Sequence, residues 1–530
     1  MKEYTGANSS LSLQADHAYE LSHSYLRSPA VLKGTITESS LVELVGSLPM
    51  SPTATDITTM NREKLRENSE RGQQLRLKLL RGAVMVFITA GYEGKRFIFE
   101  RAKALGIRSV IIESPDSWAR SLTSTGTVEK FVAVDMDDRE NLMQNIVNEL
   151  QTLTLEMGHI DGITTFCEMA VPLVSRLAQI LNLPHNPVES IDIARDKHAF
   201  RTALTQANLP SPVSHSIKSA ADLPAAAKAV GFPAVIKPVA GAASLGVVRV
   251  DSEDMLAKAY AQVIREMSSY KISSGALMMA NGGGEEEEEE EGRGIRGGGN
   301  AGHWMDMTMM MEEYLDGEEV DVDIVLSDGK AVYGAITDNW PTIEPYFNET
   351  GSNAPSILPA YQQRELIELS VQALKALKFK LGVFHVEAKY TSRGARLIEI
   401  NCRLGGGPVH LTNKLVWGVD LVEEHLMASA GIPVRPQIAE RPLRCIAEYS
   451  INAPVTGMIK NDTFMNKWVG HANVLYARPL VKTGDRVVSK EDGMPTWLAE
   501  VMVNFPTVEE GIEFVKDLEA KMDVPIEKKR

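Results

Sequence analysis

Residues 381–407 read LGVFHVEAKYTSRGARLIEINCRLGGG, two short alternating runs on either side of a turn. In the first run, every second residue points to one face: Val383, His385, Glu387 and Lys389. In the second run, the same face is expected to hold Leu397, Glu399 and Asn401. Period-two alternation around a glycine-containing turn predicts a β-hairpin. Such a hairpin would bring two carboxylates and one amide together.

Two interpretations of this polar face remain open. Carboxylate and amide oxygens are ligands that Mg²⁺ takes in proteins, together with water and phosphate oxygens. An ordinary solvated face of an edge hairpin has the same alternation. The residues that follow, Arg403 and the glycines 405–407, do not decide between the two interpretations.

Composition limits the class of protein. A chain of 530 residues is long enough for about three or four domains. The net charge is −15, and the run Glu285–Glu291 carries seven of those charges, so the mildly acidic remainder suggests no nucleic-acid or membrane-surface partner. The three cysteines are far apart and fit neither a disulfide framework nor a zinc site. With no secretory signal pattern and no apolar run of about 20 residues, a cytoplasmic protein is expected.

The first part of the chain divides into two expected units. Residues 1–78 are rich in Ser and Thr and are expected to form an extension of unknown role. Over 79–190, apolar runs alternate with helical patterns as strand, glycine-rich turn, helix and strand. This order is typical of βαβ units and predicts a small doubly wound α/β domain.

A second unit is expected over 191–315. It opens with one helix over 191–207, and a strand carrying Lys237 then leads into a loop of small residues that includes Ser244. Such a loop lets backbone N–H groups approach a phosphate, although a merely flexible hairpin has the same composition. The glycine- and glutamate-rich insertion 281–301 is expected to be disordered and dispensable.

The last two expected units are 316–440 and 441–530. Apolar and acidic residues alternate from Glu319, and Asp328-Gly329 is a two-residue hairpin signal. The segment 338–359 is long for a connection inside a domain and contains aromatic residues and Glu349, which favours a functional role over simple packing. The final unit is expected to be a smaller α+β domain.

The order of motifs over roughly residues 80–525 resembles the ATP-grasp carboxylate–amine ligases. The resemblance rests on six motifs: Lys197 in DKHAFR, Lys237 before the small-residue loop, EEYL at 312–315, GEE at 317–319, Glu387, and EINCR at 399–403. Weaker stretches at 314–323, 327–329, 338–342 and 347–350 are most similar to carnosine synthases and bacterial L-amino-acid ligases. Cys402, where the family commonly has proline, and the insertion depart from the pattern.

The resemblance implies a multidomain α/β and α+β protein: an ATP-grasp fold with an N-terminal doubly wound domain and a small C-terminal α+β domain. It also implies residue roles. The expected ATP contacts are Lys197, Lys237 and Ser244 at the phosphates, Glu312, Tyr314 and Leu315 at the adenine, and Glu319 at the ribose. The expected Mg²⁺ ligands, for two ions with Mn²⁺ as an alternative, are Glu387, Glu399 and Asn401. Arg403 is the expected catalytic residue, and the expected amino-acid contacts are Asp338, Asn339 and Glu349.

The activity implied is ADP-forming ligation of two amino acids through an acylphosphate, with the loop at 241–246 closing over the nucleotide. An oligomer of identical chains is compatible with the sequence. Two alternatives stay open: a biotin-carboxylase-like or purine-pathway enzyme of the same fold, and a catalytically inactive nucleotide-binding scaffold.

Overall fold

The computed structural model describes residues 62–528 apart from 139, 242–243, 269, 274–275 and 280–307. The expectations for most of the N-terminal extension and for the insertion 281–301 concern residues outside this range. Within the described ranges, no helix is long and apolar enough to cross a membrane.

The N-terminal unit is a parallel sheet with helices on both faces. Its helices are α1 (Arg62–Leu65), α2 (Glu70–Leu80), α3 (Arg96–Ala104), α4 (Ser121–Ser124), α5 (Leu142–Met157) and α6 (Val171–Ile180). Its strands are β1 (Val84–Ile88), β2 (Arg108–Glu113), β3 (Lys130–Ala133) and β4 (Gly162–Thr164), in the order β3-β2-β1-β4. Every residue of β1 is buried, because apolar clusters cover both faces of the sheet. The predicted doubly wound arrangement is confirmed.

The helix expected over 191–207 is in fact two helices, α7 (Val188–Arg195) and α8 (Lys197–Gln206). Asp196 between them has an extended backbone, and its carboxylate accepts a hydrogen bond from the N–H of Ala199. Aspartate is a favoured N-cap because it satisfies such an otherwise unpaired N–H. The prediction of one helix was wrong for this reason, and the break puts Lys197 at the start of α8.

A small antiparallel sheet follows. It contains β5 (Ser214–Ile217), β6 (Ala234–Pro238), β7 (Val248–Val250) and, after the separate hairpin β8 (Tyr270–Ser273) and β9 (Ala276–Met279), β10 (Met309–Glu313). The order is β5-β10-β6-β7, and the helices are α9 (Leu223–Val230) and α10 (Glu253–Ser268). The register sets Lys237 on β6 opposite Met310 on β10.

The remainder is organised around one antiparallel sheet of eight strands. The strands from here to the C-terminus are β11 (Glu318–Ser327), β12 (Lys330–Asn339), β13 (Gly351–Ala354), β14 (Gly382–Thr391), β15 (Gly394–Asn401), β16 (Cys445–Asn452), β17 (Gly457–Ile459), β18 (Val474–Pro479), β19 (Arg486–Val487), β20 (Trp497–Phe505) and β21 (Ile526–Glu527). The helices are α11 (Ala360–Ala376), α12 (Val409–Trp417), α13 (Leu421–Ser429) and α14 (Val508–Ala520). The large sheet has the order β15-β14-β11-β12-β13-β16-β20-β18, while β17, β19 and β21 form a smaller one.

Both predicted hairpins are present. Asp328 and Gly329 form the two-residue turn between β11 and β12 with positive φ angles of 51° and 73°, as such turns require. In the β14–β15 hairpin, Glu387 pairs with Glu399. The prediction that Leu397 shares this polar face was wrong, because the pairing shifts by one residue and sets Leu397 opposite Ala388, where it is 0% exposed. Such a bulge reverses the side-chain alternation that follows it.

One face of the large sheet carries rows of polar residues. Directly paired residues of an antiparallel sheet point to the same face. Glu399, Glu387 and Asp321 form one continuous row on β15, β14 and β11. A neighbouring row runs from Glu319 through Asn339 and Ser352 to Glu448, and so reaches the strands beyond residue 440. The opposite face packs on an apolar cluster that includes residues of α11.

Candidate active site

Two carboxylates face each other at the start of the polar row. Glu387 and Glu399 are directly opposed on β14 and β15, and the amide nitrogen of Asn401 lies 3.3 Å from an oxygen of each. Burial, followed by repulsion from Glu399 and Asp321, raises the pKa of Glu387 well above its usual value. The surroundings therefore disfavour a negative charge on Glu387 while Glu399 is ionised.

The two members of the pair differ in their partners. The ammonium of Lys197 forms an ion pair with Glu399. Burial acts to raise the pKa of Glu399, but attraction to Lys197 outweighs burial and holds that pKa below its usual value, with further help from Lys237 and Arg195. The break between α7 and α8 thus delivers a lysine to one of the two acids.

Lys237 is held by a buried carboxylate. Its ammonium lies 2.7 Å from one carboxylate oxygen of Glu312, and Nε of Arg201 lies 2.5 Å from the other. Arg201 also donates to the carbonyl oxygen of Ile398 at 2.6 Å. Because Glu312 is only 3% exposed and both its oxygens are engaged, its carboxylate holds Lys237 in place. The adenine contact expected for Glu312 stays a prediction.

The segment after β10 is partly exposed. The hydroxyl of Tyr314 donates to Glu344 at 2.8 Å, and the guanidinium of Arg249 lies 4.3 Å from the centre of the Tyr314 ring. Leu315 is buried beside it. Ser244 sits in the turn between β6 and β7 with a φ of 54°, and its carbonyl accepts from the N–H of Val247. The contacts of the described residues place none of these side chains against the acid pair.

A buried group formed by His385, Asp321 and Asp323 lies next to the acid pair, and it was not predicted from the sequence. Nδ1 of His385 lies 2.9 Å from Asp323 and Nε2 lies 3.6 Å from Asp321. Burial lowers the pKa of His385, but the two aspartates outweigh burial and raise that pKa to about 10. Asn413 donates to the other oxygen of Asp323 at 2.7 Å. Strict alternation of acids on β11 was the available signal for this group, since it predicted that Asp321 and Asp323 share one face.

Glu319, Asn339 and Glu349 extend the site along the sheet. Glu319 lies 3.3 Å from Lys389, and Asn339 donates to Asp321 at 3.0 Å. Much of Glu349 is exposed to solvent, and its pKa is raised, first by desolvation among neighbouring protein atoms and then by repulsion from Asp321 and Glu319. These three residues therefore belong to the same electrostatic environment.

Asp338 does not belong to the site, which corrects its expected contact with substrate. It pairs with Val320 across β11 and β12, whereas Asn339 pairs with Glu319, so the two neighbours point to opposite faces. Its carboxylate accepts hydrogen bonds from Asn353 at 2.9 Å and from the N–H of Ile357 at 2.7 Å. Asp338 therefore fixes β13 and the chain that follows it.

The N-terminal unit also reaches the site, and its contact through Glu168 was not predicted from the sequence. Glu168 follows the carboxyl end of β4, and its carboxylate contacts Arg403 at 2.6 Å and Arg195 at 2.8 Å. Tyr92 follows the carboxyl end of β1, and its pKa is raised by burial and then by the charge of Glu500. The signal was the topology, because ligands of parallel α/β sheets bind beyond the carboxyl ends of strands.

The residues present fit a divalent cation. Glu387 and Glu399 supply hard oxygen donors of the kind that Mg²⁺ takes, and a cation at this point would relieve the repulsion that acts on Glu387. As placed, Asn401 turns its amide nitrogen toward these acids and its oxygen toward Arg403, at 3.3 Å. Asn401 must turn its amide group to act as a ligand. Among the described residues, no group of three or more His, Cys, Asp or Glu side chains forms a ready-made metal site.

Three family models match successive parts of the chain. The model described as ATP-grasp N-terminal domain matches residues 99–185. The ATP-binding domain of the carbamoyl-phosphate synthase L chain matches 196–278, and the ATP-grasp domain matches 293–410. The matched stretches thus include β2 to β4 of the N-terminal sheet, the small sheet and the β14–β15 hairpin.

Relatives with known names are similar over most of the chain. Carnosine synthase 1 of Gallus gallus is 30% identical over 372 residues, which are 69% of this chain and 37% of that protein. Carnosine synthase 1 of Homo sapiens is 28% identical over 378 residues, 69% of this chain and 41% of that protein. The chain therefore spans about two fifths of the length of these relatives.

A solved structure shares the fold. The crystal structure of an L-amino acid ligase from Bacillus licheniformis superposes with a TM-score of 0.68 at 21% sequence identity. The superposition covers 84% of this chain and 100% of that one. The common fold includes the sheet on which the acid pair lies.

Proposed function

The chain carries the ATP-grasp fold, and from that premise we propose that it joins the carboxyl group of one amino acid to the amino group of another at the expense of ATP. The products are a dipeptide or related amide, ADP and phosphate. The observation that carries the proposal is the opposed pair Glu387 and Glu399, with Lys197 on one side and Arg403 on the other. The carnosine synthases and the L-amino acid ligase support the same reaction class.

The cations of the site are assigned to the nucleotide. Lys197 and Lys237 hold its phosphates as point charges, and Glu312 keeps Lys237 in place. The backbone and side chains of Tyr314 and Leu315 flank the adenine, Glu319 accepts the ribose hydroxyls, and the turn at Ser244 covers the phosphates.

Glu387, Glu399 and a rotated Asn401 hold Mg²⁺ in this proposal, because their oxygens are its preferred ligands. Bound there, the cation supplies charge neutralisation at the phosphates. We propose that the site binds two Mg²⁺ ions and that Mn²⁺ can replace them.

Arg403 acts on the reacting carboxyl group. Transfer of the γ-phosphoryl group to the substrate carboxylate breaks the bond to ADP and gives an acylphosphate. The amine of the second amino acid then attacks the carbonyl carbon, a tetrahedral oxyanion forms, and phosphate leaves. The fixed positive charge of Arg403 stabilises that oxyanion, while Asn339 and Glu349 bind one of the amino acids.

We further propose that the chain divides into units with boundaries at residues 78, 190, 315 and 440. The nucleotide would then bind in the cleft between the small sheet and the large sheet. The proposed partners are small amino acids. We also propose that identical chains form an oligomer and that the protein is cytoplasmic.

The test measures ADP release by the full chain with Mg·ATP and pairs of amino acids, including β-alanine and histidine, with mass spectrometry of the products. Amino-acid-dependent ADP release with a matching amide product is expected. Stoichiometric AMP and pyrophosphate would overturn the proposal, as would ADP release that depends on bicarbonate instead of an amino acid. No turnover with any pair would favour the inactive scaffold.

A further inference from the structure

Glu168 lies beside Arg403 and connects three parts of the chain. It belongs to the N-terminal unit, Arg403 follows β15, and Arg195 ends α7. One carboxylate oxygen of Glu168 contacts Nε of Arg403 at 2.6 Å, and the other contacts Nη1 of Arg195 at 2.8 Å. Glu168 is 6% exposed, so a single buried carboxylate is shared by two guanidinium groups.

The guanidinium of Arg403 makes two hydrogen bonds and one ion pair, and the ion pair at Nε is close without hydrogen-bond alignment. Nη1 donates to the carbonyl of Leu404 at 2.8 Å and Nη2 to Asn401 at 3.3 Å, while Nε forms the ion pair with Glu168. The first two partners lie within two residues of Arg403 and move with it. Glu168 therefore provides the contact that fixes the side chain relative to a different part of the chain.

Through Arg195, the carboxylate of Glu168 is also connected to the turn that follows β6 of the small sheet. Arg195 donates from Nη1 to the carbonyl of Gly241 at 3.4 Å, at the beginning of the turn that follows β6, and from Nη2 to the sulfur of Met169 at 3.6 Å. Without the carboxylate, two half-buried cations would face each other with no shared counter-charge, and an unpaired charge is costly where solvent is largely excluded. Loss of Glu168 thus disturbs Arg403 from both sides.

We infer that Glu168 is a positioning residue, which orients the guanidinium of Arg403 from the N-terminal unit while Arg195 braces the same carboxylate. The inference rests on the proposed function for its kinetic consequences only. Catalytic groups act fully only when neighbouring residues lock their orientation. The N-terminal unit thereby contributes to the chemical step without touching the nucleotide.

The kinetic test uses Glu168→Gln, which keeps the shape of the side chain and removes its charge. A fall in kcat of about 10²-fold is expected, as for a misplaced reacting group, with the KM for ATP near its original value. Glu189→Gln is the matched control, because Glu189 is an exposed acid on α7. Glu168→Asp is expected to recover part of the lost kcat.

A double-mutant cycle separates positioning from a general structural role. In an Arg403→Ala background, Glu168→Gln is expected to lower kcat little further, because the residue it orients is already absent. If the two substitutions multiply as independent effects, the inference is wrong. An equal loss of kcat in the Glu189→Gln control would also contradict it.

A spectroscopic measurement keeps the inference testable if the proposed reaction fails. In arginine-labelled protein, the Nε–H signal of Arg403, assigned by its loss in Arg403→Lys, is expected to exchange slowly and lie apart from solvent-exposed arginines. In Glu168→Gln it should move toward them, and in Glu189→Gln it should stay. A signal unaffected by Glu168→Gln would overturn the positioning role whatever the enzyme's activity.

Discussion

Glu387 and Glu399 stand directly opposite each other on neighbouring strands, yet only Glu399 forms an ion pair with a lysine, Lys197, in the described part of the chain. Repulsion and burial raise the pKa of Glu387, whereas attraction to Lys197 lowers that of Glu399. The two acids therefore occupy equivalent positions in the strand pairing, but the free energy of ionising them differs.

Replacing either acid by glutamine is expected to weaken Mg·ATP binding by at least about tenfold, because a ligand to the cation is lost. Their effects on thermal stability should differ in sign. Glu387→Gln relieves repulsion and should raise Tm, while Glu399→Gln leaves Lys197 without its partner and should lower it. Calorimetric titration and thermal unfolding measure both, with the exposed Glu368 as the Glu→Gln control. Unchanged affinity in both variants would remove the pair from the metal site.

Arg403→Ala is expected to spare Mg·ATP affinity and to reduce the rate of the chemical step by about 10²–10³, the usual effect of losing one oxyanion donor. Single-turnover formation of ADP and product, together with calorimetric titration, separates the two effects. Arg364→Ala, at an exposed position of α11, is the control. Lost ATP affinity with normal turnover at saturation would make Arg403 a phosphate ligand instead.

Glu349→Gln is expected to raise the KM for one amino-acid substrate and to leave the KM for ATP near its original value, because the charges of Asp321 and Glu319 act on its carboxylate. Asp338→Asn, on the opposite face, should lower Tm with little change in either KM. Steady-state kinetics with each substrate varied, and thermal unfolding, check both results. The reverse pattern, with Asp338→Asn changing the amino-acid KM, would mean that the faces have been misassigned.

Glu424 on α13 should make stability depend on pH. Burial, then repulsion from Glu423, raises its pKa from 4.5 to about 8, although Arg76 opposes the rise. The folded protein therefore binds a proton between these pH values that the unfolded chain releases, so the contribution of Glu424 to stability is lost as pH rises from about 4.5 to 8. Glu424→Gln is expected to raise Tm by a few degrees at pH 8.5 and little at pH 5.

Thermal unfolding at both pH values measures this effect, with Glu513→Gln on the exposed face of α14 as the control. An equal shift of Tm at pH 5 and pH 8.5 would show that Glu424 does not titrate in this range.

The regular parts of the fold followed from local patterns in the sequence. The turn at Asp328-Gly329 and the opposition of Glu387 and Glu399 depend on neighbours along the chain, and both predictions are confirmed. The break at Asp196 and the bulge before Glu399 were missed, because each is a single-residue departure inside a run whose periodicity looks continuous.

The parts of the candidate site that lie within one sequence motif could be predicted, whereas contacts between distant parts of the chain could not. The contact between Glu168 and Arg403 joins residues far apart in sequence, and no local pattern marks it. Asp338 was misassigned because a side chain next to Asn339 was treated as part of the same surface, although adjacent strand residues point to opposite faces. The roles proposed for the remaining residues stay predictions.

The large sheet also sets an order of events during synthesis of the chain. β13 ends at Ala354, but its outer partner β16 begins only at Cys445 and is itself paired with β20, which ends at Phe505. A nascent chain therefore holds β13 with one edge unpaired while the following helices and the β14–β15 hairpin emerge, and an unpaired edge invites association with other chains. Premature termination between α13 and β20 should consequently give fragments that aggregate or are captured by chaperones, even though every residue assigned to ATP and metal has already been made.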